Sequence, residues 1–256
     1  DAEIIPVRDY TGTVSRLVDL TPTIKGVFIT LDEPLRFQAG QYINLEIDGG
    51  RLTRAFSLAN PPSRAREVEL NVRLVPGGEG TTWIHTQLAE GDRIRLSGPY
   101  GRFFVRKSAP GDLIFMAGGS GLSSPRSMIL DLLEEGDRRN ITLIYGQRRR
   151  DELYYHEEFV ELARRHPNFR YVPALSDEPA DSAWDGFRGF VHEAAREAFG
   201  GDFRGHKVYL CGPPKMIEAC IATLMQGRLY ERDIYTEKFI SAADAQQVRS
   251  PLFRSL

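Results

Sequence analysis

The chain has 256 residues, 41% hydrophobic and 27% charged, with a formal net charge of −2. That is enough core for one large domain or two smaller ones, and the charge gives no overall pull toward nucleic acid or an acidic membrane. No apolar run approaches the length that spans a bilayer, and the polar N-terminus DAEIIPVRDY lacks a signal-peptide pattern. The missing initiator Met reads as a fragment or a processed chain. The two cysteines, Cys211 and Cys220, read as reduced thiols, which points to a cytoplasmic protein. With no cysteine cluster and five His residues at no ligand spacing, no metal or iron–sulfur site is expected within the chain.

From Tyr10 to about Val105, short β-type runs alternate with turn residues: TGTVSRLVDL, GVFITL, QYINLEI, RAFSLAN, VELNVRLV and DRIRLSGP. Alternation is clearest in the fifth run. It puts Val68, Leu70, Val72 and Leu74 on one face and Glu69, Asn71 and Arg73 on the other. Asp48-Gly49-Gly50, Asn60-Pro61-Pro62 and Pro76-Gly77-Gly78 mark turns, and Thr82 to Leu88 reads as one short helix. Such spacing predicts an antiparallel Greek-key β-barrel. Within it, Arg54-Ala55-Phe56-Ser57 sends Arg54 and Phe56 to one side of a strand and Ala55 and Ser57 to the other. Taken alone, that is a surface Arg and a core Phe.

Arg106 to Gly111 is charged and then turn-rich, and marks a boundary between residues 1–108 and an α/β domain at 109–256 with a C-terminal extension. Strands are predicted at Leu113–Ala117, Ile141–Tyr145, Phe169–Val172, Lys207–Leu210 and Asp233–Thr236. Helices are predicted at Leu122–Glu134, Glu152–Arg165, Val191–Phe199 and Lys215–Gly227. Alternating strands and helices imply a parallel, Rossmann-like sheet whose ligands sit beyond the carboxyl ends of the strands. In LIFMAGGSGLSSPRSMILDLL (113–133) a strand passes through Gly118-Gly119-Ser120-Gly121 into a helix, a turn suited to a phosphate although Ser124 replaces the third glycine of G-x-G-x-x-G. An ordinary left-handed turn is the plain alternative.

FQAGQYINL, RAFS, NVRLVPGGEGTT, GPYGRF, the glycine turn and LCGPPKM occur in an order that resembles the ferredoxin–NADP reductase superfamily of flavoproteins, over nearly the whole chain. The resemblance implies that Arg54 pairs with the FAD pyrophosphate, that Ala55 and Phe56 lie along the isoalloxazine, and that Ser57 offers its hydroxyl near flavin N5. It implies a second pyrophosphate contact at Gly80, Thr81 and Thr82, and flavin-lining roles for Tyr42, Val72 and Leu74, where core packing is the alternative. Gly119, Ser120 and Gly121, with Tyr145, Gly146 and Ser176, would hold the nicotinamide dinucleotide. Cys211, with Gly212, Pro213 and Met216, would stand beside the nicotinamide. Glu237 resembles the acidic group near the reacting rings, and Phe239 the aromatic that covers the flavin. The catalytic set implied is therefore Ser57, Cys211, Glu237 and Phe239.

The tail SAADAQQVRSPLFRSL and the motif GGSGLSSPRSMI most resemble the reductase components of bacterial phenol hydroxylases and of related toluene and methane monooxygenases. The resemblance implies FAD, a nicotinamide cofactor, and electron delivery to a two-iron two-sulfur ferredoxin domain expected outside this chain and on to an oxygenase component. No nucleic-acid or membrane partner is implied. Asp177, about where NADPH users of the family carry Arg, favours NADH, while Arg148, Arg149 and Arg150 could serve a phosphate or be a solvated basic turn. Three alternatives stay open: an NADPH-dependent ferredoxin or flavodoxin reductase, a non-catalytic FAD electron-transfer subunit, and a dinucleotide sensor without flavin.

Overall fold

A computed structural model describes residues 1–238. Six strands build the first unit: β1 (Arg8–Asp19), β2 (Ile24–Leu31), β3 (Tyr42–Ile47), β4 (Leu52–Ser57), β5 (Glu67–Arg73) and, after helix α1 (Glu79–Thr86), β6 (Arg93–Tyr100). They pair antiparallel in the order β4-β3-β6-β1-β2-β5 and curl into a barrel. β4 and β5 stand at its two edges, so the barrel stays open along the seam beside the Arg54–Ser57 strand. Inward-facing Val14, Val27, Ile29, Ile43, Leu45, Val68, Leu70 and Val72 fill the interior. Burying each such side chain contributes about 1.5–3 kcal/mol.

The fifth run keeps its expected two faces, and both are covered. Val68, Leu70 and Val72 face the barrel core, yet Glu69 and Asn71 are buried too, at 2% and 7% exposure. Strand alternation assigns residues to a face but cannot say what covers that face. Here it is covered by the second unit.

That unit contains β7 (Leu113–Gly118), α2 (Ser123–Glu134), β8 (Ile141–Gln147), α3 (His156–Arg165), β9 (Phe169–Leu175), β10 (Phe187–Arg188), α4 (Val191–Phe199), β11 (Lys207–Gly212), α5 (Pro214–Gln226) and β12 (Ile234–Lys238). The sheet is wholly parallel, ordered β10-β9-β8-β7-β11-β12, so the winding reverses between β7 and β11. Leu113, Phe115 and Ala117 point to one face, under Met128 and Ile129 of α2 and Phe159 of α3. Ile114 and Met116 point to the other, under Ala194 of α4 and Ile217 of α5. Ile24, Ala39, Phe103 and Val105 of the barrel side join the first of these cores. No helix among the described residues is long and apolar enough to cross a membrane.

Local departures from the predicted elements have physical causes. α1 starts three residues early, at Glu79, because the Pro76–Gly78 turn leads directly into it. The helix expected from Glu152 begins only at His156, because Tyr155 sits in the left-handed region at φ 60°. A non-glycine residue pays about 1–2 kcal/mol for that conformation. β10, only two residues long, has too little alternation to be read from sequence.

Candidate functional site

The reversal between β7 and β11 places two turns side by side at the carboxyl edge of the sheet: residues 118–122 after β7, and Gly212-Pro213 after β11. A cleft of about 850 Å³ opens there. Leu74 of the barrel side lines it together with Gly119, Ser120, Gly146, Ser176, Pro213 and Met216. The turn is built by contact. A Cβ on Gly121 would lie 2.4 Å from the Cys211 carbonyl oxygen, so only glycine lets the two turns approach this closely. The Gly119 carbonyl accepts hydrogen bonds from Gln147 Nε2 at 2.8 Å and from the Tyr154 hydroxyl at 3.1 Å.

Where the barrel seam meets this edge, four side chains from four elements converge. Glu237 Oε1 lies 3.2 Å from the Ser57 hydroxyl of β4, 3.1 Å from the Ser124 hydroxyl of α2 and 3.7 Å from the Cys211 thiol of β11. Parallel pairing sets Cys211 directly opposite Glu237, which turns both side chains the same way. Ser124 Oγ is also 3.3 Å from the Gly40 carbonyl, so its single proton has two acceptors. Burial raises the Glu237 carboxyl above its ordinary value, while the hydrogen bonds from Ser124, Ser57 and Cys211 pull the other way. Burial and the neighbouring Glu237 also push the Cys211 thiol well above its ordinary value, so it is a neutral donor and not a thiolate.

On the barrel seam, Arg54 and Ala55 are exposed and Phe56 is partly buried against the core. Arg54 donates to the Thr53 carbonyl at 2.9 Å and has no carboxylate partner among the described residues. Its stem lies over Gly80, where a Cβ would come within 2.8 Å of the guanidinium Nε. α1 has no side-chain cap, so its first N–H groups are available to an anion beside that guanidinium. A guanidinium with no carboxylate partner, a side-chain-free cradle and an uncapped helix start together fit a pyrophosphate. The Thr82 N–H is not one of these donors, since it bonds to the Gly78 carbonyl at 3.0 Å. The Thr81 hydroxyl accepts the Val75 N–H at 3.0 Å and closes the preceding turn.

Several expected residues are placed elsewhere. Val72 is fully buried in the barrel core and offers no surface to a ligand. Tyr145 is likewise fully buried, edge-on to Tyr154 and Phe159, with its hydroxyl accepting from Gln147 Nε2. Cys211 and Gly212 are buried at the junction, not in the open cleft. Tyr42 does stay on the seam, opposite Ser57 across β3 and β4, and stacks on Tyr100 with ring centroids 5.5 Å apart. Phe239 lies outside the described residues. Arg148, Arg149 and Arg150 each face a carboxylate, Glu152 at 3.7 Å, Asp177 at 3.8 Å and Glu157 at 3.0 Å.

Sequence reasoning missed Ser124 as a member of the junction. The one signal was a serine at the third-glycine position of the turn motif. It also missed Tyr154, which falls inside the predicted Glu152–Arg165 helix but lies ahead of the observed one.

Comparison with known proteins agrees with this geometry. Residues 21–105 match the oxidoreductase FAD-binding domain family and residues 115–221 the oxidoreductase NAD-binding domain family. The chain is 64% identical over 253 residues to phenol 2-monooxygenase, reductase component DmpP, of Pseudomonas sp. (strain CF600), covering 98% of this chain and 72% of that protein. It is 57% identical over 252 residues to phenol hydroxylase P5 protein of Acinetobacter pittii (strain PHEA-2), covering 98% of this chain and 71% of the relative. Among solved structures, Amycolatopsis cytochrome P450 reductase GcoB superposes with a TM-score of 0.84 at 37% identity, covering 91% of this chain and 70% of that one. This chain therefore belongs to the family of flavoprotein oxidoreductases that join a FAD-binding to an NAD-binding domain, the same family as the phenol hydroxylase reductase components.

Proposed function

We propose that the chain is the FAD- and NADH-binding part of a reductase whose electrons pass through a two-iron two-sulfur ferredoxin domain, carried outside these residues, to a multicomponent aromatic monooxygenase such as phenol hydroxylase. The observation that carries this reading is the 3.2 Å meeting of Ser57 and Glu237, one from each domain, beside which the second sheet carries a separate glycine-lined cleft at its carboxyl edge. The names of the two bacterial phenol hydroxylase relatives support the choice of oxygenase.

Arg54 and the first N–H groups of α1 would hold the FAD pyrophosphate, a charge-assisted contact suited to a guanidinium fork. Phe56 would supply the stacking face, worth about 0.5–1.5 kcal/mol for an aromatic pair. FAD, when bound, supplies acceptance of a hydride and its release as single electrons. Glu237 orients the Ser57 hydroxyl on the seam where the two domains touch. Holding both reactants in fixed geometry makes the transfer effectively unimolecular. The Gly119–Gly121 turn and Pro213 would seat the dinucleotide.

NADH is the nicotinamide this surface suits. A 2′-phosphate would have to displace the carboxylates that already face Arg148, Arg149 and Arg150. It would also sit near exposed Asp177, a repulsion of about 1 kcal/mol at 4 Å in water. The test is the visible spectrum of the purified protein. It should be yellow, and anaerobic NADH should bleach it faster than NADPH. A colourless protein, or a yellow one that NADH leaves unchanged, contradicts the reading.

A further inference from the structure

A second set of side chains joins the two domains, away from the Glu237 junction. Arg126 of α2 donates through Nη1 to Glu69 Oε2 of β5 at 2.6 Å and to the Ala59 carbonyl at 2.8 Å. Through Nε and Nη2 it forks onto both oxygens of Glu158 in α3, at 2.7 and 2.9 Å. The Tyr155 ring lies 4.2 Å under the guanidinium, and its hydroxyl donates to Glu69 Oε1 at 2.7 Å while accepting from Asn71 Nδ2 at 3.1 Å. The Ser123 hydroxyl of α2 donates to Asn71 Oδ1 at 2.8 Å. The Arg126 and Glu69 side chains are only 5% and 3% exposed, and among the described residues no buried side-chain polar atom lacks a partner.

Two features make this more than a satisfied buried pair. Tyr155 holds the disfavoured left-handed backbone that starts α3, and its hydroxyl reaches Glu69 and Asn71 of the other domain. The first turn of α2 also carries both contacts: Ser124 reaches Glu237, while Ser123 and Arg126 reach β5. One helical rise is about 1.5 Å per residue, so any slip of α2 on β5 moves Ser124 against Glu237 as well.

We propose that Arg126 and Tyr155, acting on Glu69, form an interdomain clamp that fixes the register of the two domains, which makes them positioning residues for hydride transfer. This rests on the function proposed above. No clamp side chain hydrogen-bonds to either cofactor cradle, so its loss lowers the limiting rate of flavin reduction and leaves FAD content and NADH affinity unchanged. A merely structural role would lower the melting temperature without changing that limiting rate.

The test uses Arg126→Lys, which keeps the charge and loses the fork, and Tyr155→Phe, which loses only the bridging hydroxyl. In anaerobic rapid mixing at saturating NADH, the limiting rate falls about tenfold or more in Arg126→Lys and a few-fold in Tyr155→Phe. A folded Arg126→Lys protein with the parent limiting rate overturns the proposal. A second measurement does not need NADH. Spin labels on Arg95→Cys in the barrel and Glu218→Cys in α5, both exposed sites, report one narrow distance in the parent and a broadened one when Arg126→Lys is added. An unbroadened distance overturns the clamp. A parent flavin that NADH cannot reduce overturns the functional reading instead, and the label distances then decide the clamp separately.

Discussion

At Arg126 the two domains meet through one guanidinium shared by two carboxylates, Glu69 nearly sealed from water and Glu158 partly exposed. At Glu237 they meet through a half-buried carboxyl held by two hydroxyls and a thiol, with no cation among the described residues to balance it. A charge-paired set is what geometry needs, because breaking it leaves a charge stranded. An uncompensated carboxyl is costly to ionise and responds to whatever ring or charge is set beside it, which is the usual signature of a reacting site. One interface therefore carries a region built to hold still and a region built to respond.

That division can be broken by experiment. Ser57→Ala removes the barrel's contribution to the responsive region and touches no residue of the paired one. Flavin reduction should slow by about 10²-fold, the scale expected when a reacting group is misplaced by about an ångström, with FAD retained. Stopped-flow absorbance checks it, and a change below about threefold would assign Ser57 no part in the chemistry. Gly121→Ala forces a Cβ to within 2.4 Å of the Cys211 carbonyl oxygen. It should cost about 1–3 kcal/mol of overpacking, seen as a melting temperature lower by several degrees, while the label distance across the Arg126 side stays narrow.

The smallest effect is a pH dependence. The Glu237 carboxyl is raised in the folded protein by burial, so its contribution to stability is full below the ordinary carboxylate range. It is lost as pH rises through the folded value, because the buried carboxyl must then ionise. Glu237→Gln cannot ionise, so its melting temperature should gain on the parent as pH rises from about 4 toward neutrality. A difference that is flat with pH would mean that the carboxyl is not held in the buried environment described.

The legible and illegible parts of the molecule separate along the same lines. The β runs of the barrel and the alternating second half could be read because burial against the chain's own core leaves a period of two or 3.6 in the residues. The glycine turn and Cys211-Gly212-Pro213 could be read because close backbone approach demands those residue types. Glu69 and Asn71 could be assigned to the second face of their strand but not to an interface, because alternation does not record a second domain packed on top. Ser124 looked like a lapse in a glycine motif, and only the fold brings Glu237 and the Gly40 carbonyl within reach of its hydroxyl. Tyr155, read as an interior helical residue, turned out to end one segment and start another through its backbone angle. Val72 and Tyr145 stood at motif positions but fell on the core side of their strands.

The most direct test of the account is anaerobic stopped-flow reduction of the flavin by NADH in the parent and in Glu237→Gln. The account predicts rapid bleaching in the parent, slowed by deuterium at the transferred position. In Glu237→Gln it predicts a limiting rate lower by about 10²-fold with FAD content and NADH affinity unchanged. Equal limiting rates in the two proteins would contradict the claim that the carboxyl shared between the domains is where hydride transfer is set.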